Sequence, residues 1–285
     1  MIKTITLVLL LTMLQGLPPD QAVLVNAERA FAKLAVERGV RESFLTHFDD
    51  AAIAFNPHPA VAKDRLRKNP VETLPLDYTL NWAPTYGDIS LAGDMGYNTG
   101  PARVDRKTPA NTPPRHMVFF SVWKKRAEGD WKVVLDVGVD VPSAMAPLDA
   151  PFQPARPIAS SVRYTRVDLE KERASLLQLE KSLIREGNAG SYLDESVRLN
   201  RPDVLPLAGK KAVEGWLASQ GKRSGEPRFA DVAASGDLGY TYGDFEMNGA
   251  RSMKGYYARV WRRDPANRWK IVIEVLSPLP DQPTK

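Results

Sequence analysis

The sequence predicts an α+β protein made of two tandem copies of one domain, and three observations carry this prediction. The segment GDMGYNTG, which begins at Gly93, returns as GDLGYTYG at Gly236 with five of eight positions identical. The segments VWKKRAEGDWKVV and VWRRDPANRWKIV each hold two tryptophans eight residues apart. In both halves, apolar residues at helical spacing precede apolar residues that alternate with polar ones. Helices followed by an antiparallel sheet are typical of the α+β class.

The helices are predicted from apolar residues that recur every three or four positions. A long helix opens each copy, and Asp20 is a candidate to cap the first one. A shorter helical piece with Phe44 and Phe48 follows in the first copy. The residues that define the two long helices are Leu24, Ala27, Phe31 and Leu34, and Leu169, Leu176, Leu179 and Leu183.

The last strand of the first copy is predicted from strict alternation. One side of this strand would carry the apolar side chains, and the other side would carry a mixed set. The first side consists of Trp131, Val133, Leu135 and Val137, and the second of Lys132, Val134 and Asp136.

The repeated Gly-Asp motif is interpreted as a turn that leads into a bent strand. Glycine accepts a positive φ, and an aspartate in a turn bonds its own backbone. The glycines that follow in the motif permit curvature of the strand. The motif lacks the Gly-x-Gly-x-x-Gly spacing and a following Gly-Lys-Ser/Thr, which disfavours a nucleotide-phosphate loop. A direct ligand role for the motif is the alternative.

Domain boundaries follow from the repeat and from proline. Residues 17–140 form the first domain and residues 166–285 the second. Between them, residues 141–165 hold five prolines, a spacing that forbids a helix or an inner strand and predicts a semi-extended linker. Residues 1–16 are predicted to be a cleaved signal peptide, because Lys3 precedes an apolar run too short to cross a bilayer. An uncleaved membrane anchor is the alternative.

Composition narrows the function. The chain has 285 residues, 43% of them hydrophobic and 8% aromatic, enough for packed cores. A formal charge of +5 is spread among acidic residues without a basic stripe, so nucleic acid is not expected as a partner. The chain contains no cysteine, which excludes disulfides and a thiol nucleophile. The predicted signal peptide indicates a periplasmic or secreted protein. No later apolar stretch is long enough to span a membrane, so the protein is not expected to stay in one after cleavage.

The segments FDDAAIAF, GDMGYNTG and VWKKRAEGDWKVV, with GDLGYTYG and VWRRDPANRWKIV in the second copy, resemble the nuclear transport factor 2-like superfamily. The resemblance is greatest to its bacterial SnoaL-like domains of unknown function. It implies two cone-shaped domains, in which helices cover one face of a curved sheet and leave an apolar pocket at the open end. The superfamily includes isomerases, dehydratases, cyclases and binding proteins, so the resemblance does not name an activity.

Catalytic residues of this superfamily do not transfer to the chain. Ketosteroid isomerase, a relative by fold, combines a tyrosine, a protonated aspartate and an aspartate base. The first helix here offers Phe31 and no tyrosine. No cofactor is expected, and no metal site either, since none of the three histidines has a partner at metal-ligand spacing. Asp49 and Asp50 are expected to end a helix and to face water.

Three titratable residues are the candidates for chemistry. His116 opens an apolar strand and is either a general base in a pocket or a surface histidine; its counterpart in the second copy is Lys254. Asp136 and Glu274 hold equivalent positions in the final strands. Either they lie on the outer sheet face with basic partners, or they point inward with a pKa raised by burial. His116 and Asp136 are the predicted catalytic pair.

Aromatic side chains are the candidates for ligand contact. Tyr97 and Tyr240 share a position in the repeat, as do Phe119 and Tyr257, and each pair is either core or cavity lining. Trp82 has no aromatic counterpart apart from Phe229 nearby, so it is predicted to line a pocket of the first copy only. Glu274 completes the predicted binding residues.

Two functions from different classes remain open at this point. The first is an exported module that binds a small apolar or amphipathic molecule, or a protein partner. The second is a lyase or isomerase that uses a pocket histidine or carboxylate of the first domain. The two copies are expected to pair through their sheets as an internal pseudo-dimer, which leaves a monomer in solution. Val134 and Val272 would lie in that contact, with Asp136 and Glu274 nearby.

Overall fold

The computed structural model describes residues 19–71, 76–109, 111–155, 164–187, 189–248 and 252–280. The predicted signal peptide, residues 1–16, lies outside the described residues. In the first half two helices lead into the sheet, and a third helix lies between its strands. These elements are α1 (Pro19–Arg38), α2 (Val40–His47), β1 (Phe48–Phe55), β2 (Pro59–Val61), α3 (Ala62–Lys68), β3 (Tyr78–Trp82), β4 (Tyr86–Ile89), β5 (Met95–Arg106), β6 (Arg115–Lys125), β7 (Trp131–Val141) and β8 (Gln153–Pro154).

The second half repeats this order with one long helix at its start. A 3₁₀ turn (Gly190–Tyr192) joins that helix to the sheet. Its elements are α4 (Leu169–Glu186), β9 (Leu193–Asn200), β10 (Leu207–Ala208), α5 (Lys210–Ala218), β11 (Lys222–Ser224), β12 (Pro227–Val232), β13 (Leu238–Asn248), β14 (Ser252–Arg263) and β15 (Trp269–Pro278).

Each half builds its own sheet. The first has the strand order β2-β1-β7-β6-β5-β4-β8, with β3 also paired to β5. The second has the order β10-β9-β15-β14-β13-β11, with β12 also paired to β13. Most neighbours are antiparallel, but β1 with β7, β4 with β8 and β9 with β15 are parallel. The predicted α+β class is confirmed, and the parallel pairs are an addition that the sequence pattern did not predict.

The long helix α4 is capped by an aspartate at its N-terminus and by a glycine at its C-terminus. The side chain of Asp168 accepts a hydrogen bond of 3.2 Å from the Lys171 backbone N–H. This bond satisfies one of the backbone donors that a helix leaves free in its first turn. Gly187 ends the helix in the left-handed region with φ 69°, which is strained for residues with a Cβ.

Glycines of the repeated motif let the helices lie directly on the sheets. A Cβ on Gly96 would collide with the side chain of Leu24 on α1. At the equivalent Gly239, a Cβ would lie 2.9 Å from a methyl carbon of Leu176 on α4. These glycines therefore serve close packing of helix on sheet as well as strand bending.

A β-bulge in β7 changes the face of the sheet to which the side chains in the second part of this strand point. The register of β7 on β6 shifts between Val122 and Trp123, so that Trp123 pairs with Val133 and Val122 with Leu135. Trp131 and Val133 consequently pack under the helices, whereas Leu135 and Val137 pack on the opposite face. The prediction that all four share one side was wrong, because the extra residue at the bulge reverses the alternation. An equivalent shift lies between Val260 and Trp261 in the second sheet.

The faces that the bulges turn away from the helices form one hydrophobic core shared by both halves. All of its members are buried. The first sheet contributes Tyr97, Val118, Phe120, Val122, Leu135 and Val137, and the second contributes Tyr240, Ala258, Val260, Val272, Ile273 and Val275. A shared core of this kind couples the two halves, since neither can expose its outer face without loss of apolar burial.

Among the described residues, two ion pairs join the halves, at equivalent positions. Lys124 of β6 contacts Asp231 of the second half at 2.6 Å. Arg262, at the position of Lys124 in the second copy, contacts Asp88 of the first half at 3.2 Å. Such reciprocity, in which each partner provides the same patch, is the mark of a two-fold contact. Both carboxylates are nearly buried, which limits screening by salt.

The Gly-Asp turns also meet across this contact. Gly93 and Gly236 have φ of 65° and 68°, as expected for turn glycines. The carboxylate of Asp94 accepts a 2.9 Å bond from the Ala234 backbone N–H, and Asp237 accepts one of 3.1 Å from the Leu91 backbone N–H. Each aspartate thus accepts a hydrogen bond from the turn of the other copy, whereas the sequence analysis predicted a bond to its own backbone.

The part of the proline-rich segment that the structure describes after β7, up to residue 155, reaches the edge of the first sheet, and residues 156–163 of the predicted linker lie outside the described residues. Strand β8 runs parallel to β4, and the Gln153 backbone N–H bonds the Thr85 carbonyl at 2.9 Å. Phe152 is buried beside it. An edge position suits this segment, because proline cannot donate to an inner strand. Within the ranges described above, no helix is long and apolar enough to cross a membrane.

Candidate functional site

A cavity of about 410 Å³ lies inside the first domain, between helices α2 and α3 and the inner face of the sheet. Strands β1, β3, β5, β6 and β7 each contribute to its wall. Its apolar lining includes Phe44, Leu66, Leu80, Trp82, Ala102 and Phe119, and its polar lining consists of Asn56, Arg65, Asn69, Arg115 and Asp136.

Along β6, the side chains on the inner face become more exposed to solvent from Ser121 toward the start of the strand. Ser121, Phe119, Met117 and Arg115 all point to the inner face, because every second residue of a strand does. Ser121 is fully buried, Phe119 is buried, Met117 is half-buried and Arg115 is exposed. The cavity therefore opens toward the start of β6.

Glu28 of helix α1 lies beside Ser121, at the buried end of this row of side chains, and is completely buried. One carboxylate oxygen accepts from Trp82 Nε1 at 2.8 Å. The other accepts from Ser121 Oγ at 2.5 Å, from Trp123 Nε1 at 2.6 Å and from Asn98 Nδ2 at 3.3 Å. Burial raises the pKa of Glu28, and the four donors oppose that shift. A carboxyl group surrounded by donors alone is suited to the ionised state, which only accepts hydrogen bonds.

Asp136 is the titratable group on the cavity wall itself. It pairs in register with Ser121 and is half-buried. In the part of the chain that the structure describes, its carboxyl group receives no hydrogen bond and no ion pair. Burial, together with the charge of nearby Glu28, raises the pKa of Asp136 to about 8. A carboxylic acid with this pKa is largely protonated at neutral pH and can donate a hydrogen bond.

Three of the predicted site residues meet at this cavity. Trp82, Phe119 and Asp136 all line it. The bulge in β7 is the reason that Asp136 points inward. The expectation that Asp136 and Glu274 lie near the contact between the domains was wrong, since each carboxyl group faces the interior of its own domain.

His116 lies elsewhere. It is adjacent to Met117 on β6 and so points to the opposite face of the sheet. There it borders a separate depression of about 520 Å³ with Arg103 and the segment from Ala144 to Leu148. The structure therefore does not bring His116 and Asp136 together as one catalytic pair.

Tyr97 and Tyr240 also lie away from the cavity. Both are buried in the core shared by the two sheets. The neighbours of Tyr97 along β5, Gly96 and Asn98, face the helices instead. Alternation thus assigns both tyrosines to the contact between the sheets and not to a ligand pocket.

The interior of the second domain has the same plan with different chemistry. Glu180 of α4 corresponds to Glu28 and is equally buried. It accepts hydrogen bonds from Trp261 Nε1 at 2.9 Å, from the Tyr257 hydroxyl at 3.4 Å and from Thr241 Oγ1. Arg259, which replaces Ser121 of the first copy, adds an ion pair of 2.5 Å.

Glu274, the counterpart of Asp136, is held by two guanidinium groups. Arg223 forms a close ion pair with it, and Arg259 lies 3.3 Å from the same oxygen. Burial alone would raise the pKa of Glu274, but these two charges outweigh it and lower the pKa. Tyr257 lies beside this network and, like Glu274, is buried.

Larger side chains fill the space that is open in the first domain. Phe245 stands where the first copy has Ala102, and Leu276 stands where it has Gly138. Arg223 takes the place of Leu80. Among the described residues, a cavity of about 50 Å³ lies in the second domain beside Arg223, Met247 and Arg259.

The sequence analysis missed Glu28, Glu180 and Arg65. The signal for the two glutamates is present in the helical pattern. Glu28 lies four residues after Leu24 and three before Phe31, so a charged residue stands within the apolar stripe of α1. Asp49 and Asp50 lie on β1, where they pair with Arg126 and Lys63, and not at a helix end. Within the described ranges, no three His, Cys, Asp or Glu side chains cluster as a metal site.

Comparison with known proteins finds similarity in structure only. No family model matches the chain, and no curated protein matches its sequence. Several of the solved structures to which it is similar are described as nuclear transport factor 2 or as nuclear transport factor 2-like proteins. Nuclear transport factor 2 from Cryptosporidium parvum is 11% identical with a TM-score of 0.33, over 42% of this chain and 100% of that one.

Two bacterial structures of unknown function give the same result. A nuclear transport factor 2-like protein from Pseudomonas putida is 15% identical with a TM-score of 0.33, over 41% of this chain and 93% of that one. One from Shewanella oneidensis is 12% identical with a TM-score of 0.29, over 37% of this chain and 96% of that one. Each of these matches spans roughly the length of one of the two halves.

Proposed function

We propose that the first domain binds a small, mostly apolar molecule that carries an oxygen acceptor for Asp136. The observation that carries this proposal is the contrast between the two interiors. The first keeps a cavity of about 410 Å³, and the Asp136 carboxyl group on its wall has no hydrogen-bond or ion-pair partner among the described residues. The cavity that the described residues enclose in the second domain measures about 50 Å³. Cavities of several hundred Å³ with few polar groups are typical of small-molecule sites.

The protonation of the two carboxyl groups supports the kind of ligand proposed. Glu28 accepts four hydrogen bonds and is the group suited to carry the negative charge. Two nearby carboxyl groups resist double ionisation, so the proton resides on Asp136. A protonated Asp136 donates to a carbonyl or hydroxyl oxygen of the ligand.

The apolar wall supplies the affinity in this proposal. Phe44, Trp82 and Phe119 present aromatic surface to the cavity. Burial of apolar surface contributes about 25 cal/mol per Å². A ligand with one or two fused rings would gain several kcal/mol from this contact, of which part is offset by the entropy of association.

The fluorescent compound phenylnaphthylamine tests the apolar part of this proposal, because it is uncharged, apolar and bright only in a dry environment. We expect the wild-type protein to bind it at one site. Ala102→Phe places the side chain of Phe245 at the equivalent position of the first domain, and it should abolish binding while the fold is retained. Ala127→Phe, the same change in an exposed turn, is the control. Equal binding by wild type and Ala102→Phe would contradict the proposal.

A second candidate function is proton transfer at carbon, of the isomerase or lyase type. The pKa of Asp136, raised to about 8, favours it, because a group that titrates near the working pH both gives and takes protons. Exchange of hydrogen for deuterium next to the carbonyl of a bound cyclic ketone, followed by NMR in D₂O, tests this candidate. Exchange that is no faster with wild type than with Asp136→Asn would reject it and leave the binding function in place.

Export is proposed on the sequence of residues 1–16 alone. The short apolar run after Lys3 supports a cleaved signal peptide. We expect the mature protein in the periplasm or medium to begin near Leu17. N-terminal sequencing that finds Met1 in a cytoplasmic fraction would contradict this expectation.

A further inference from the structure

We propose that the ligand of the first-domain cavity is an amphipathic anion, whose apolar body faces Trp82 and whose acidic group lies against Arg65 at the rim. This inference rests on the proposed function and names the chemical class of the ligand.

Arg65 projects from α3 into the lining of the cavity and is half-buried. Its Nη1 donates a hydrogen bond of 2.9 Å to the Asn56 backbone carbonyl, which fixes the guanidinium group at the rim. A carbonyl is neutral, so this bond orients the positive charge without balancing it. Fixed guanidinium groups are well suited to carboxylate and sulfonate oxygens.

The acidic residues around Arg65 are engaged with other bases. Asp64, its neighbour on α3, contacts Arg67 at 3.7 Å. On β1, Asp50 contacts Lys63 at 2.8 Å and Asp49 contacts Arg126 at 2.8 Å. Within the described part of the chain, Arg65 thus has no carboxylate of its own.

The remaining charged groups of the lining leave this positive charge in excess. Arg115, at the other side of the rim, is paired with Asp140 at 2.6 Å. Among the described residues that line the cavity, Asp136 is the only acid, and the buried Glu28 carboxylate disfavours its ionisation. Asn56 and Asn69 add neutral amide groups near Arg65 that can also donate to an acidic group.

The geometry separates the two ends of the expected ligand. Trp82 and Phe119 are buried, whereas Arg65 lies where the lining becomes exposed at Asn56 and Asn69. An anion bound with its acidic group at Arg65 keeps that group partly hydrated and places its apolar body inside. This arrangement avoids the cost of complete burial of a charge.

A matched pair of probes tests the inference. Phenylnaphthylamine and anilinonaphthalene sulfonate share one aromatic skeleton and differ by a sulfonate group. We expect wild type to bind the sulfonate more tightly. Arg65→Gln should weaken binding of the sulfonate about tenfold, the loss expected for one charge-assisted hydrogen bond, and leave phenylnaphthylamine unchanged. Arg67→Gln, the same change on the exposed side of α3, should leave both unchanged.

The outcomes separate this inference from the proposed function. If wild type binds phenylnaphthylamine as tightly as the sulfonate, or if Arg65→Gln leaves the sulfonate affinity unchanged, the inference is overturned while the binding function stands. If neither probe binds wild type, both fail. If Arg65→Gln abolishes both probes, Arg65→Lys decides: a retained preference for the sulfonate supports the inference, and a lost preference overturns it.

Discussion

Asp136 and Glu274 occupy equivalent positions, each five residues after the tryptophan that opens the last strand of its sheet, and their pKa values are shifted in opposite directions. Asp136 faces an open cavity and has no partner among the described residues, and burial raises its pKa to about 8. Glu274 is buried as well, but Arg223 and Arg259 lower its pKa. One duplicated position thus serves a site in the first domain and a structural ion network in the second.

Asp136→Asn should change the pH dependence of stability. Asp136 has a pKa near 8 in the folded state, well above about 3.9 in an unfolded chain. The folded state binds the extra proton, so the stabilisation from protonation is complete below about pH 4 and is lost as pH rises through 8. The free energy of unfolding of Asp136→Asn should exceed that of wild type increasingly over this range, by on the order of 2 kcal/mol at pH 9 after allowance for solvent in the cavity.

Urea denaturation at a series of pH values measures this difference. Glu128→Gln removes one exposed negative charge and serves as the control for net charge. A difference between Asp136→Asn and wild type that stays constant from pH 4 to pH 9 would show that Asp136 is not the group that titrates.

Arg259→Leu should destabilise the protein strongly. Arg259 is fully buried between Glu180 and Glu274, and its removal leaves two buried carboxylates without this charge. Loss of one partner of a buried ion pair costs about 3–5 kcal/mol. Arg228→Leu breaks the exposed pair with Asp244 and should cost about 0–1 kcal/mol. Urea denaturation of both variants is the measurement, and similar small losses would contradict the structural role of the network.

The two domains should unfold together, and the protein should be a monomer. Val260 is buried in the core shared by the two sheets, so Val260→Asp would place a carboxylate in that contact. We expect one unfolding transition and the mass of one chain for wild type. For Val260→Asp we expect loss of several kcal/mol or two separate transitions, because a buried unpaired charge is costly. Calorimetry and light scattering are the measurements. A wild-type mass of two chains would contradict the internal pairing.

The fold class could be predicted from the sequence, but only some of the residues that line the cavity could. The tryptophan pairs and the Gly-Asp motif predicted the duplication. Trp82, Phe119 and Asp136, three of the predicted site residues, line one cavity, and their role there stays a prediction. The direction of Asp136 depends on a bulge near Val134, and a single extra residue in a strand is invisible to a pattern of alternation.

Two other features could not be predicted for a different reason. Glu28 binds donors from three strands that are distant in the chain. The second domain has less open space because Phe245 and Leu276 occupy it. That the two side chains enter the same space can be seen only when the registers of β13, β14 and β15 are known. Both features arise from non-local pairing, whereas periodicity reports local structure.

NMR titration of the ¹⁵N-labelled protein with phenylnaphthylamine tests the central claim most directly. The account predicts shift changes at the Trp82 indole N–H and at the backbone of Met117 and Gly138, with none at Tyr257 and Leu276. Shift changes confined to the second domain or to the contact between the sheets, or none at saturating probe, would contradict the claim that the first domain alone holds an open ligand site.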